Sequence, residues 1–329
     1  SENRQSLLYG MGEQHLEIVA SKLASRYKVE ITLETPKVAF RETIRKNSDV
    51  DSKYKSVQFQ QFPQYDAYES LLDDVDAVYI NAPLIQRDEL IATALEKGKH
   101  VLTEFPFSLN YPKARNFVKI ASEKGLVLME GLKTAYCPAF GKMISLVKSG
   151  RIGKVLSIEA NFTQILGDNL SNQIRIAGGS VASLGAYPLL VIFKLLGYDY
   201  KEVEFITHQE NGVDTMTRMN FVYDGAIATS LVAINAKAEG SLTISGTKGY
   251  VYVPAPWWKT EYYELRYEDI NKNSKFFYKF EGEGLRYEIV EFVRNINNNL
   301  HDCLLFSTED ILAESNMLSD FKNRERCNF

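Results

Sequence analysis

Near the start of the chain, Gly10-Met-Gly12-Glu-Gln-His15 follows an apolar run and opens the amphipathic stretch Glu13–Arg26. Glycines at such a strand-to-helix turn let a pyrophosphate approach backbone N–H groups at a helix N-terminus. Glu34 ends the next apolar run about 20 residues later, where an acid would meet a ribose hydroxyl. On that reading Gly10 and Gly12 bind a dinucleotide. His15 in place of the third glycine, and Glu13 beside the phosphates, favour the other reading, a plain turn between strand and helix. His15, His100, His208 and His301 are scattered, and Cys137, Cys303 and Cys327 lack ligand spacing, so no metal site and no disulfide framework is expected. Gly178-Gly-Ser180 lacks the closing glycine of a nucleophile elbow, which argues against serine hydrolase chemistry. Trp257, Trp258, Tyr262 and Tyr263 could stack on a sugar or ring substrate, or equally form a packed sheet edge or dimer contact.

Positioning such residues takes two kinds of layer. The first half alternates short apolar runs (Ser6–Tyr9, Lys28–Leu33, Ala77–Asn81, His100–Glu104, Leu126–Glu130) with helical periodicity over Glu13–Arg26, Arg87–Lys97 and Pro112–Lys124. That is the pattern of a parallel sheet with crossover helices. Gly98 and Gly125 stand where a helix end wants a left-handed residue. Residues 47–66 read as a polar connector. Past a helix over Cys137–Ser149, alternation dominates: Lys154–Ile165, Glu202–Gln209, Thr215–Tyr223, Ile227–Ala236, Ser241–Ser245, Tyr250–Val253, Glu261–Tyr267 and Phe276–Phe280. This predicts a mostly antiparallel sheet, one face covered by helices over Val181–Leu196, Glu283–Asn297 and Thr308–Lys322. The class is α/β, with two domains, 1–134 and 135–329.

Two resemblances bear on function. Gly10-Met-Gly-Glu-Gln-His-Leu-Glu-Ile18, Tyr27-Lys-Val-Glu30 and Thr35-Pro-Lys-Val-Ala-Phe-Arg-Glu-Thr43 resemble translation elongation factor G over residues 3–46. The resemblance implies a piece of a small ferredoxin-like domain and no dinucleotide binding; no GxxxxGK[ST] loop accompanies it. From about residue 64 to the C-terminus, four fifths of the chain, the sequence resembles the Gfo/Idh/MocA NAD(P)-dependent oxidoreductases. The carrying runs include Asp76-Ala-Val-Tyr-Ile-Asn-Ala-Pro83, Ala94-Leu-Glu-Lys-Gly-Lys-His-Val-Leu102, Glu104-Phe-Pro106, Gly150-Arg-Ile-Gly-Lys-Val155, Gly185-Ala-Tyr-Pro188 and Ser245-Gly-Thr-Lys-Gly249. Lys133-Thr-Ala-Tyr-Cys-Pro138 and Glu281-Gly-Glu-Gly-Leu-Arg-Tyr-Glu288 resemble the branch related to trans-dihydrodiol dehydrogenase. The family resemblance implies a Rossmann-like domain followed by an α/β domain with a large open antiparallel sheet, and NAD or NADP in the cleft between them. It places Asn81, Ala82, Pro83, Glu104 and Pro106 against the cofactor, and implies a homo-oligomer packed through the open sheet.

The chain departs from that pattern at its chemical centre. The usual Glu-Lys-Pro is Glu104-Phe105-Pro106, so a phenyl ring stands where a lysine would hydrogen-bond the reacting hydroxyl. Ser183 replaces the usual acid, and Tyr187 alone remains of the customary cluster. General acid–base help is worth about 10²–10⁴ in rate. Lys133, with Tyr136 at the domain junction and Tyr187 at the site, is the candidate for a substitute relay; a solvated or ion-paired surface lysine is the other reading. The expectation is an oxidoreductase of a sugar, cyclitol or dihydrodiol hydroxyl with impaired catalysis. A non-catalytic scaffold that keeps the cleft is the alternative, and a translation-factor relative the remaining one.

Composition agrees with a folded, small-molecule-binding protein. In 329 residues, 45% hydrophobic and 24% charged, 38 basic against 42 acidic side chains give a net charge of −4, which offers no footprint for nucleic acid or an anionic membrane. No long apolar run and no signal-like start occur, so a cytoplasmic location is expected.

Overall fold

The computed structural model describes residues 63, 65–167, 178–280, 282–323 and 327–328. The chain divides after Gln64, and all but one of the described residues belong to the unit Tyr65–Phe329. The runs expected over Ser6–Tyr9, Glu13–Arg26 and Lys28–Leu33, the glycines Gly10 and Gly12, Glu34 and the connector as far as residue 62 lie outside the described residues.

After a short helix α1 (Tyr68–Asp73), three strands alternate with two helices: β1 (Ala77–Ile80), α2 (Leu84–Glu96), β2 (His100–Glu104), α3 (Tyr111–Glu123) and β3 (Leu128–Gly131). The strands are parallel, in the order β1-β2-β3. Near-continuous apolar runs make strands that are buried on both faces, as a sheet flanked by crossover helices requires. Val101, Leu102, Leu128 and Met129 are all fully or almost fully buried. Gly98 and Gly125 end α2 and α3 with φ of +72° and +64°, the conformation that a side chain would resist. His100 is structural: its Nδ1 accepts the Val127 N–H at 2.9 Å.

Two helices, α4 (Lys133–Tyr136) and α5 (Pro138–Lys148), lead to the second sheet. Its strands are β4 (Val155–Thr163), β5 (Glu202–Glu210), β6 (Val213–Tyr223), β7 (Ala226–Ala233), β8 (Leu242–Gly246), β9 (Tyr250–Val253), β10 (Tyr262–Arg266), β11 (Ser274–Phe277) and β12 (Cys327–Asn328). The order is β11-β10-β9-β8-β4-β7-β6-β5-β12, antiparallel except for the β4–β7 and β5–β12 pairs. Alternation along β6, where Met219, Phe221 and Tyr223 are buried and Arg218 and Val222 exposed, turns one face to the core and leaves the other open. The remaining helices are α6 (Ser180–Leu184), α7 (Ala186–Leu196), α8 (Leu285–Asn297) and α9 (Thr308–Asn323).

The single helix expected over Val181–Leu196 is in fact two, α6 and α7, meeting at Gly185. Pro188 has no N–H to give to the Leu184 carbonyl, so one rung of the ladder is missing. A Cβ on Gly185 would come within 2.5 Å of the Val181 carbonyl oxygen, so the break also needs glycine. The N-terminus of α6 is fixed from the sheet. Asp214 on β6 accepts from the Ser180 hydroxyl at 2.7 Å and the Val181 N–H at 2.8 Å. This cap holds the helix that carries Ser183. Asp214→Ala leaves the buried Val181 N–H without this acceptor and the Ser180 hydroxyl with only its longer bond to Thr217 at 3.4 Å, and should destabilise the protein by about 1–2 kcal/mol in chemical denaturation; an unchanged midpoint would refute the role.

Candidate functional site

The C-terminal ends of parallel strands are where such sheets bind ligands, because side chains and turns there are free to vary around a fixed edge. β1 ends into Asn81-Ala82-Pro83, β2 into Glu104-Phe105-Pro106, and β3 into Gly131-Leu132-Lys133. Asn81 is exposed, and Ala82, Pro83, Glu104 and Phe105 are half-buried, so the first two turns present an accessible edge.

The first two turns are tied together by a residue the sequence did not single out. Arg87, one turn into α2, is almost fully buried. Its Nη1 donates to the carbonyls of Glu104 at 3.0 Å and Pro106 at 2.7 Å, and its Nη2 donates to the Ala82 carbonyl at 2.7 Å. The turn carbonyls are thereby consumed internally, and the gap between the turns is set by one rigid guanidinium fork. Arg87 was missed because the helical periodicity was read as starting at that residue. The helix starts three residues earlier, at Leu84, which turns the side chain inward.

Around the turn of β2 the ionisable groups converge. The Tyr79 hydroxyl donates to Glu104 Oε1, and Lys133 Nζ lies 4.0 Å from the same oxygen. Beneath, the buried Glu130 accepts the Phe107 N–H at 2.9 Å, and its other oxygen has no partner. Burial pushes the Glu130 carboxyl well above the usual range, while the Phe107 N–H and the Arg87 charge pull the other way. Tyr136 donates from its buried hydroxyl to the Glu130 carbonyl at 2.6 Å, a structural bond that takes it out of any relay. Burial raises the Tyr187 phenol, with Glu104 and then Glu288 adding to the effect. Tyr187 therefore remains a neutral donor at physiological pH.

Phe105 packs edge-on against Tyr187 at a centroid distance of 6.2 Å. Tyr187 meets Phe162 edge-on at 4.9 Å, and Phe162 is stacked on Trp258 at 3.7 Å. The four tryptophans and tyrosines taken together in the sequence separate here. Trp257 and Tyr263 are core residues, Trp257 donating to the Asn161 carbonyl at 2.9 Å, while Trp258 extends the row of rings toward Tyr187. Ser183 lies on α6 with its hydroxyl 3.4 Å from the Gly178 carbonyl. Lys133 and Tyr187 thus share Glu104 as an electrostatic neighbour, and Phe105 adjoins Tyr187.

The profile described as "Oxidoreductase family, NAD-binding Rossmann fold" matches residues 20–132, and that of the GFO/IDH/MocA C-terminal domain matches residues 140–252. Trans-1,2-dihydrobenzene-1,2-diol dehydrogenase of Oryctolagus cuniculus is 30% identical over 281 residues, covering 80% of this chain and 82% of the relative. The chain belongs to the Gfo/Idh/MocA oxidoreductase family. The dTDP-3,4-didehydro-2,6-dideoxy-alpha-D-glucose 3-reductase of Actinomadura kijaniata is 31% identical over 192 residues, so this chain spans little more than half of that relative, 56%. A crystal structure of a 3-ketoreductase from the same organism, in complex with NADP and TDP-benzene, shares the fold with a TM-score of 0.69 at 23% identity, over 80% of this chain and 84% of that one. Elongation Factor G domain III matches residues 1–35. The oxidoreductase profile begins at residue 20, earlier than the residue 64 read from the sequence, and overlaps that match.

Arg87→Met would leave two half-buried carbonyls and one buried one without their charged donor. It should cost about 2–4 kcal/mol of stability by denaturant titration. A loss below 0.5 kcal/mol, on the scale of a surface substitution, would show that the turns hold themselves.

Proposed function

We propose that this chain is a nicotinamide-dependent oxidoreductase acting on a hydroxyl of a sugar, cyclitol or dihydrodiol, with proton transfer weakened relative to its family. The observation that carries this is the phenyl ring of Phe105 against Tyr187 at the end of β2. A ring cannot give or take the proton that must move when an alcohol and a carbonyl interconvert.

NAD or NADP is the cofactor this reading requires. The described edge suits its nicotinamide half: an exposed amide at Asn81, the apolar faces of Ala82 and Pro83, and the turn at Glu104 and Pro106 bound a planar ring that carries a carboxamide. When bound, the cofactor supplies the hydride chemistry. The nucleotide-binding part runs over 1–134 and the substrate and oligomerisation part over 135–329.

Lys133 and Tyr187 take the proton-handling work. A neutral phenol at Tyr187 can donate to the substrate oxygen, and the Lys133 ammonium beside Glu104 can stabilise negative charge developing there. Ser183, lacking a charge, contributes no base. A second copy of the chain is proposed to cover the open sheet, where the directly paired Val222 and Ile227 are exposed side by side. A cytoplasmic setting fits this chemistry; among the described residues no helix is long and apolar enough to cross a membrane.

The test joins cofactor titration by fluorescence with turnover on a panel of polyols and cyclic diols. Phe105→Lys combined with Ser183→Glu should turn over faster than the wild type by about 10²-fold or more. Cofactor binding with no turnover by either protein would favour the non-catalytic scaffold. Wild-type turnover equal to the double variant would end the impaired-enzyme reading.

A further inference from the structure

Glu288 is fully buried, and neither of its carboxyl oxygens has a hydrogen-bond partner. Unsatisfied buried carboxyls are rare and call for an explanation. The approach of this one is specific. A Cβ on Gly131, at the end of β3, would lie 3.1 Å from Glu288 Oε2, so the carboxyl packs closely over the bare Cα of this glycine. One turn earlier on the same helix face, a Cβ on Gly284 would lie 3.2 Å from Lys133 Cβ. Helix α8 therefore lays its first turn along the segment from Gly131 to Lys133, with Glu288 inward.

The groups facing Glu288 come from every element packed around it. Glu104 on β2, Tyr79 on β1, Lys133 and Tyr136 on α4 and Tyr187 on α7 all interact with it electrostatically, and Glu291 lies on its own helix. Lys133 is the cation of this set, faced by two carboxyls. One, Glu104, opens to the turn of β2; the other, Glu288, lies behind Gly131.

We propose that Glu288 is a positioning residue for Lys133: neutral, it leaves the ammonium to Glu104 and the substrate oxygen, and ionised, it draws the ammonium back behind Gly131. This deepens the proposed function and rests on it. Burial, and then Glu104, push the Glu288 carboxyl up to about 8, with Lys133 opposing, so the change falls just above physiological pH. Turnover should accordingly decline on the alkaline side of that value. Glu288→Gln, which stays neutral, should abolish the decline, and Glu288→Asp should restore it.

The direct readout needs neither cofactor nor substrate. An amine-acylating reagent is applied to the full chain, and labelling of Lys133 is followed by mass spectrometry at pH 7 and pH 9, relative to lysines elsewhere. The wild type and Glu288→Gln should label Lys133 alike at pH 7. At pH 9 the variant should label roughly threefold faster, because Glu104 alone then faces the ammonium and no carboxylate draws it back behind Gly131. Carbon-13 NMR of protein labelled at glutamate Cδ should show, in the wild type, a carboxyl titrating near the value given above whose signal is missing from Glu288→Gln, which separates it from the other raised carboxyls, Glu130 and Glu314. Equal labelling at pH 9, or a set of carboxyls titrating above the ordinary glutamate range that is the same in Glu288→Gln as in the wild type, would overturn the proposal. If neither protein turns over any substrate but the labelling difference persists, the oxidoreductase reading fails and the positioning role stands.

Discussion

The site depends on one buried cation. Arg87 carries a charge into the protein among main-chain carbonyls; its bonds to Ala82, Glu104 and Pro106 offset part of the desolvation, which still holds the guanidinium below its usual pKa, and its buried Nε has no hydrogen-bond partner. Hydrogen bonds from a charged donor are about twice as strong as neutral ones, so the two turns move as one piece. Everything at this edge is referred to that piece: Phe105 lies between two residues that the guanidinium holds, and Glu104 takes the hydroxyl of Tyr79 from the neighbouring strand. A lysine at position 87 could not span three carbonyls, because it lacks the planar fork.

Given that frame, the chemistry of the edge follows from what is missing and what surrounds the gap. Phe105 contributes packing to a row of rings running through Tyr187 and Phe162 to Trp258. At Phe105 the row is apolar, so that position has no proton to move, and the hydroxyl of the row is that of Tyr187. The carboxyls Glu104, Glu130 and Glu288 outnumber the cations Arg87 and Lys133. Burial offsets the imbalance by raising Glu130 and Glu288, which keeps the mutual repulsion of the carboxyls low at neutral pH.

Much of this architecture was legible in the sequence because periodicity reports burial. The runs at Ala77, His100 and Leu126 became parallel strands, and the alternating segments from Lys154 onward became the large sheet, with ends displaced by a few residues at most. As the family motifs imply, Asn81 to Pro83 and Glu104 to Pro106 stand at the C-terminal ends of β1 and β2. Charged residues turned inward were not legible, because Arg and Glu are read as surface unless a partner is visible. Arg87 was absorbed into a helix pattern, and Glu288 closed a run quoted only for its resemblance. Two of the three carbonyls that hold Arg87 lie 17 and 19 residues further on, and Glu288 has no hydrogen-bond partner, so neither signal is local. The break at Gly185 was a smaller miss: Pro188 was in view, but a helix tolerates proline in its first turn, and only the fold showed where that turn began.

The central claim is that this site lacks a proton-handling amine at the end of β2 while its frame is intact. Chemical rescue tests it most directly. Phe105→Gly opens a cavity at that position, and turnover of the polyol and cyclic diol panel is measured with NAD or NADP as small primary amines are added. A rate that rises with free amine and saturates, while the wild type does not respond, is the predicted result. A variant indifferent to every amine, in a protein that still binds the cofactor and turns over substrate, would contradict the account.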